Sequence, residues 1–557
     1  MSRIAAFVLT LGLAVVVPTA VAGPTSATAA TPIRSATSAP STSAPSTAAP
    51  SASLAPSNTT ASSTTDDFAS DLENGVGLPP SKGKSGVEQL KRQQDSRGAP
   101  GFFSSANALT DGAMPLDAYN ISGVVQRAVL DGERPYENAP IVKGITDSTG
   151  VRMFLLAGDP TLYDHPVGQA QLSMAYLDHY RQTGLPTYLR LAKANAQRLV
   201  DRRVESRGGW YFPYDFDFAV YGDTSETLTA PWYSGMAQGV ALSAFTRLYQ
   251  ATGDPAWKTA ADATYASLDT APVEGEPFGS WVSSTGDLWL ELYPRWPVET
   301  SERVLNGHIY AAFGVYDYAQ LTGSTDAMRL YDGAVTTVTN YLMSEFRTPR
   351  WASLYSLGHR LPTISYHQKL VNELLYLQHE TGNPLFTTWA NTLRNDFPWR
   401  SSKGFAVITP GTRVIYLLNA ARHVVRTRAV TFARTTGAPV DHRERAHGGA
   451  IMLHVRAGAY AGWWFPEAYT KTRIRGAVDV HSYDPPLQAT FAADTSIRAY
   501  EYDDQNLLVD TKTVMFTEPT QTPVTKSAIV DGQVAYFLPI GDFAGHWVRV
   551  QSGLTVE

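Results

Sequence analysis

The stretch DLWLELYP, Asp287 to Pro294, brings two carboxylates and a phenol within eight residues. Two carboxylates flanking a sugar bond can act as general acid and nucleophile or base in glycoside hydrolysis, so Asp287 with Glu291 is one candidate pair. Asp215 and Asp217 of YDFDF form another, although alternation with aromatics also fits the polar face of a hairpin. A tyrosine has a pKa near ~10, so it serves as a proton donor unaided and as a base only beside a positive charge. If the segment is extended, side chains alternate faces, and Glu291 then shares a face with Tyr293 while Leu292 points away. No histidine and carboxylate spacing makes a metal site, no cofactor motif is present, and the absence of cysteine removes thiol nucleophiles and disulfides.

These residues lie within a repeated helical pattern. YLDHYRQTGLPTYLRLAKANAQRLV, LSAFTRLYQATGDPAWKTAADATYASL, VYDYAQLTGSTDAMRLYDGAVTTVTNYL and LLYLQHETGNPLFTTWANTLRNDF share one grammar. Each is an amphipathic helix, a Thr-Gly stop at 183–184, 252–253, 322–323 or 381–382, a short turn and a second helix. Hairpins recurring every 60 to 70 residues stack as a solenoid or close as a ring. The long aromatic and charged loops between them favour a ring of six pairs, an (α/α)6 toroid, with the loops gathered over one mouth. After about Arg400, short β-branched or aromatic runs separated by Gly, Pro, Asp and Asn predict an all-β sandwich or jelly roll. Its GAYAGWWFPEAY run offers a platform for sugar rings.

The remaining expectations come from composition and the N-terminus. A formal charge of -6 argues against nucleic acid as partner. The 12 Trp and 28 Tyr fit contact with sugar rings, and equally a large aromatic core. MSRIAAFVLTLGLAVVVPTAVAG reads as a secretory leader cut after Ala22, and no later segment is long and apolar enough to span a membrane. The expected organisation is therefore multidomain: a signal peptide over 1–22, a Ser/Thr/Ala/Pro-rich linker over 23–66 and an unassigned polar arm over 67–115. The toroid follows over 116–400 and the β-sandwich over 401–557, in a protein exported or held at the cell wall. The sequence sets no oligomeric state.

PWYSGMAQGVALSAFTRLYQATGD, residues 231 to 254, resembles the C-terminal domain of the D-glucuronyl C5-epimerases, where a Trp-Tyr-Ser-x-Met-Ala-Gln-Gly run opens an inner helix. YDHPVGQAQLSMAYLDHY looks like the family's Tyr-Pro-(Ile/Val)-Gln-x-Ala-Gln helix. ELYP with VLNGHIYAAFGVYD looks like its Glu-Tyr-Pro and Val-Leu-Asn-Gly pair. SLYSLGHRLPTISYHQKLVNELLYL looks like its Tyr-x-x-x-His and Tyr-His-x-x-His-x-Asn-Gln-Leu region. The resemblance spans about residues 160 to 398 and implies an (α/α)6 toroid that inverts C5 of a hexuronate within a polysaccharide, without a cofactor. Tyrosine and glutamate are the family's proton carriers. Carried over position by position, Tyr293, Tyr355 and Tyr366 match family tyrosines. Glu291 stands one residue before the family's glutamate, whose place Leu292 takes. His359 and Asn306 match a family histidine and asparagine. The resemblance places Trp232, Tyr233 and Gln238 at the mouth or the helix cap, and makes Arg303, Arg360 and His367 further candidates for substrate binding. Two departures concern the substrate carboxylate: Gly358 replaces an Arg and Leu370 a His. The loop before Val304 is also longer, adding Arg295, Glu299, Glu302 and Arg303. Beside a uronyl epimerase stand a polysaccharide lyase using the same proton abstraction, a two-carboxylate glycoside hydrolase, and a carbohydrate-binding protein without chemistry.

Overall fold

The computed structural model describes residues 118–556 apart from 130–133, 138–140, 142–143, 157–158, 399–400, 420–423 and 446–448. The expected leader, linker and polar arm lie outside the described residues. Four helical hairpins follow one another: α1 (Pro166–Thr183) with α2 (Pro186–Arg202), α3 (Gly235–Thr252) with α4 (Pro255–Leu268), α5 (Leu305–Thr322) with α6 (Thr325–Tyr341), and α7 (Ile364–Thr381) with α8 (Pro384–Asp396). The Thr-Gly pairs end the first helix of each hairpin by one mechanism. Gly184, Gly253, Gly323 and Gly382 take φ of 69°, 66°, 67° and 69°, left-handed backbone that glycine adopts without a Cβ penalty. Each preceding threonine donates its hydroxyl to the carbonyl four residues back, Thr183 to His179 and Thr381 to Leu377 at 2.6 Å, and accepts an N–H from two residues on. Asp254, Ser324 and Asn383 then cap the second helices from outside the first turn.

The first helix of each hairpin is buried almost throughout and the second along one side, so α1, α3, α5 and α7 are inner and their partners outer. The inner helices form an arc, α1 on α3, α3 on α5 and α5 on α7. The α3–α5 contact is backbone to backbone: a Cβ on Gly239 would strike Ala311, and one on Gly314 the Gly239 carbonyl. Among the described residues the hairpins number four, against the six expected. Residues 118–129 and 134–137 cover the C-terminal ends of the inner helices instead. The Ser122 and Gly123 amides donate to Asp332 on α6 at 3.0 and 2.9 Å, the Arg127 amide donates to the Glu380 carbonyl, and Arg247 reaches the Pro135 carbonyl while pairing with buried Asp317 at 2.8 Å. At the opposite end, the N-termini of α3, α5 and α7 meet the long connecting loops.

Short two-stranded ribbons stiffen those loops: β1 (Met153–Leu155) with β2 (Leu162–Asp164), β3 (Val204–Ser206) with β4 (Gly209–Tyr211), β5 (Phe218–Ala219) with β6 (Thr227–Leu228), and β7 (Ser280–Val282) with β8 (Leu288–Leu290).

The described residues of 401–556 are mostly β and form two seven-stranded sheets, here called modules. The first holds β9 (Ser401–Ile408), β10 (Gly411–Leu418), β11 (Val424–Phe432), β12 (Thr436–Arg445), β13 (Ile451–Val455), β14 (Trp464–Pro466) and β15 (Thr472–Ile474). The second holds β16 (Ala477–Phe491), β17 (Thr495–Tyr502), β18 (Leu508–Phe516), β19 (Thr520–Val530), β20 (Gln533–Leu538), β21 (His546–Arg549) and β22 (Leu554–Val556). The sheet orders are β11-β10-β14-β13-β12-β9-β15 and β18-β17-β21-β20-β19-β16-β22, identical when counted within each module. Core residues of the first module come from all its strands, both edges included, so the sheet curls on itself; the second has its own core. GAYAGWWF and GDFAGHWV occupy the same turn: Gly462 donates to the Val455 carbonyl and Gly545 to the Leu538 carbonyl, both at 2.8 Å. Tyr460 and Phe543 pack into the respective cores and Trp464 and Phe465 are buried, so the core uses most of the expected aromatic platform. Both modules rest on the last hairpin: Asn391 of α8 meets Tyr483 at 3.0 Å and Arg394 meets Ser527 at 3.3 Å in the second, and Arg445 of the first donates to the Asn395 carbonyl at 2.6 Å.

Candidate active site

Tyr293, Tyr355 and Tyr366 converge where α5 and α7 begin. Tyr293 sits in the loop from β8 to α5, Tyr355 in the loop from α6 to α7, and Tyr366 in the first turn of α7. The Tyr293 and Tyr355 hydroxyls are 3.5 Å apart, and the Tyr355 and Tyr366 rings are 4.4 Å apart. Trp232, ahead of α3, stacks on Tyr214 at 3.9 Å, donates its indole N–H to the Phe216 carbonyl, and lies 6.2 Å from the Tyr293 ring. The cluster is dry: the three tyrosines are 1%, 3% and 4% exposed. Burial drives the Tyr293 and Tyr355 phenols well above their ordinary range and pushes Tyr366 up to about 12, against a lowering hydrogen bond from Tyr355. Neutral phenols at this position are proton donors, and a base among them requires a cation. Lys369, one turn along α7, holds its ammonium 4.4 Å from the Tyr366 ring centre.

Glu291 lies beneath Tyr293 and is fully buried. Its carboxylate accepts the Tyr293 amide at 3.2 Å and the Arg303 amide at 2.9 Å, which folds the loop around it. Burial raises its pKa to about 7, while these two hydrogen bonds work against the rise. Both oxygens are thus engaged with backbone, and Glu291 positions Tyr293 from below. Arg303 contributes its amide there at a left-handed φ of 53°.

The other expected residues divide between mouth and framework. His359 stands at the mouth, 4.3 Å from the Tyr221 ring, with its imidazole between Glu302 at 2.9 Å and Glu226 at 3.2 Å. Arg360 turns outward to Glu345 at 3.1 Å. Tyr233 is half-buried, edge-on to Tyr211. Gln238 is fully enclosed, accepting the Phe212 amide and donating to Ser267 and Trp210, so it ties α3 to the preceding loop. His367 is likewise enclosed between the Ser353 amide and the Leu393 carbonyl, and burial lowers its pKa to about 4. Asn306 is buried in the first turn of α5. The carboxylates considered for hydrolysis are engaged in the framework: Asp287 accepts from Asn340, Tyr341 and Thr285, Asp217 from the Ala230 amide, and Asp215 pairs with Arg202.

Sequence reasoning missed Tyr221, Glu226, Lys369 and Glu373, and read Glu302 only as part of a longer loop. Tyr221 takes a φ of 53°, lies across Tyr355 and hydrogen-bonds Ser356 at 2.8 Å. Ser356 donates to Glu302 at 3.0 Å, and Arg295 joins Glu302 to Glu226. This network fastens three loops over the tyrosines. Its one sequence signal was the charged insertion at 295–303. Glu226, Glu302 and His359 have the donor types of a cation site, but Arg295 already supplies positive charge to both carboxylates. Lys369 and Glu373 were signalled only by their i, i+4 charge pairing along α7.

Comparison with known proteins bears on the same region. The family model described as D-glucuronyl C5-epimerase C-terminus matches residues 204–395, which hold α3 to α8 and every residue of the tyrosine cluster. A D-glucuronyl C5-epimerase of Caenorhabditis elegans is 34% identical over 121 residues, covering 22% of this chain and 18% of that protein. An uncharacterised protein of Methanocaldococcus jannaschii is 25% identical over 181 residues, covering 31% of this chain and 53% of that protein. The chain thus spans about half or less of the length of these curated relatives. Among solved structures, a sugar epimerase from a ruminal bacterium aligns at a TM-score of 0.32 with 13% identity, over 52% of this chain and 68% of that one. An unsaturated glucuronyl hydrolase from a streptococcus aligns at 0.29 with 16% identity, over 42% and 57%. Residues 204–395 are thus similar to the C-terminal domain of the D-glucuronyl C5-epimerases.

Proposed function

We propose that this protein is an exported uronyl C5-epimerase acting on an acidic polysaccharide. The observation that carries the reading is the convergence of Tyr293, Tyr355 and Tyr366 in a dry cluster with an ammonium beside Tyr366. Tyr366, after giving up its own proton to water as the cluster opens, takes the proton from C5 of the hexuronate, with the Lys369 ammonium over its ring. The electron pair left on C5 spreads into the substrate carboxylate as an enolate. Tyr293, held neutral by burial, returns a proton to C5 from the opposite face, which inverts the centre. The N-termini of α3, α5 and α7 face this mouth, and their partial positive charge favours an anionic sugar and its enolate. Because the rings are nearly sealed, the Tyr221 loop must open to admit a sugar residue.

The test is incubation of the full chain with a panel of glucuronate- and other uronate-containing polymers in D2O. Deuterium at C5 with intact chains supports the epimerase. Absorbance from a new C4–C5 double bond would make the protein a lyase. New reducing ends without a double bond would make it a hydrolase, and the Asp287 and Glu291 contacts argue against that outcome.

A further inference from the structure

Beyond the tyrosines, the inner face of α7 carries two ionisable groups that nothing in the fold requires. Glu373 is 1% exposed, and neither carboxylate oxygen has a hydrogen-bond partner among the described residues. Lys369 lies one turn closer to the mouth and is half-buried. Its ammonium makes no hydrogen bond or ion pair among the described residues and lies over the Tyr366 ring. A buried carboxyl group without donors is costly unless something supplies them, and an unpaired ammonium beside it is costly as well. His367 on the same helix, by contrast, is satisfied at both ring nitrogens.

The family pattern sharpens the point. In Tyr-His-x-x-His-x-Asn-Gln-Leu, this chain has lost the second histidine, now Leu370, and has glutamate at 373 in place of glutamine. The loss of one cationic side chain coincides with a lysine at the adjacent position and an acid one turn further on.

We propose that Lys369 and Glu373 form the subsite for the reacting sugar: Lys369 binds its C6 carboxylate and Glu373 hydrogen-bonds its ring hydroxyls. This rests on the epimerase reading and adds the residues that select an acidic sugar. Burial keeps Glu373 protonated well above the ordinary carboxylate range, so it does not cancel the lysine charge. Burial also lowers Lys369 to about 8, which leaves it largely charged at neutral pH and ready to pair with an anion. Placed between the Tyr366 ring and the substrate carboxylate, one ammonium would stabilise both the phenolate before proton transfer and the enolate after it. The neutral acid at 373 offers both a donor and an acceptor to sugar hydroxyls.

The probes are methyl β-D-glucuronide and methyl β-D-glucoside, which differ only in a carboxylate for a hydroxymethyl at C6. Affinities are read by NMR titration of the full-length protein and of Lys369→Met and Lys369→Arg, each checked for an unchanged circular dichroism spectrum. Wild type is expected to favour the glucuronide, and Lys369→Met to lose about 10- to 100-fold in that preference, the range for one charge-assisted hydrogen bond. The glucoside should bind Lys369→Met as it binds wild type, and Lys369→Arg should retain most of the preference. No preference in wild type, or full preference in a folded Lys369→Met, would overturn the assignment. Deuterium exchange at C5 by wild type judges the epimerase reading separately: exchange by wild type, alongside a Lys369→Met that keeps the full glucuronide preference, removes only the subsite.

Discussion

Replacing Glu291 with glutamine isolates the cost of a buried carboxylate beneath the tyrosines. Glu291 is 0% exposed, and its pKa rises from an ordinary 4.5 to about 7, chiefly through burial. That rise corresponds to about 3 kcal/mol between the protonated and ionised forms. A raised pKa in the folded state fixes the sign. The stabilising contribution of the neutral acid is complete below pH 4.5, declines as the unfolded chain ionises, and is gone once pH passes about 7. Glutamine resembles the neutral acid in shape and does not titrate, so Glu291→Gln should match wild type near pH 4.5 and gain on it by about 3 kcal/mol at pH 8. At roughly 2 °C per kcal/mol for a domain of this size, the difference in Tm between the two proteins should shift by about 6 °C across that range. Thermal unfolding by circular dichroism at several pH values reads it, and the difference cancels the other carboxylates common to both proteins. A difference constant from pH 4.5 to 8 would refute the reasoning. It would mean that the Tyr293 and Arg303 amides alone hold Glu291 ionised throughout.

Two further perturbations probe the framework. Asp317→Asn leaves Arg247 buried without its 2.8 Å partner and should cost about 3 kcal/mol in urea unfolding, with little pH dependence near neutrality. Glu302→Gln weakens the charged bonds from His359 and Ser356 that fasten the mouth loops, and amide exchange over 219–227 and 354–361 should accelerate about 10- to 100-fold by mass spectrometry. Exchange that accelerates equally in the β modules would instead indicate global destabilisation.

The hairpins were legible because their signal is local. A Thr-Gly pair specifies its left-handed cap and hydroxyl bonds within a few residues, and four such pairs gave four hairpins. Closure was not, since whether an arc continues depends on what packs at its ends; here residues 118–129 and 134–137 cover one end of the inner helices and the β modules cover the last hairpin. The strands of the C-terminal region were equally local, but their division into two sheets depends on pairings between distant strands, such as β9 with β12 and β16 with β19. At the site, motif matching indicated Tyr293, Tyr355 and Tyr366, whereas Gln238 and His367, named for substrate, bond to the framework. Spacing alone does not separate a polar side chain that binds sugar from one that binds a carbonyl. Tyr221 and Lys369 lie near the tyrosines because of loop and helix geometry, which no short pattern encodes.

The most direct measurement is solvent deuterium incorporation at C5 of a glucuronate polymer by wild type and by Tyr366→Phe, with both proteins shown to be folded. Loss of one hydroxyl preserves the ring packing, so the expected result is exchange in wild type and a drop of at least ~100-fold in the variant. Exchange at the wild-type rate in Tyr366→Phe would contradict the assignment of proton transfer to this tyrosine cluster.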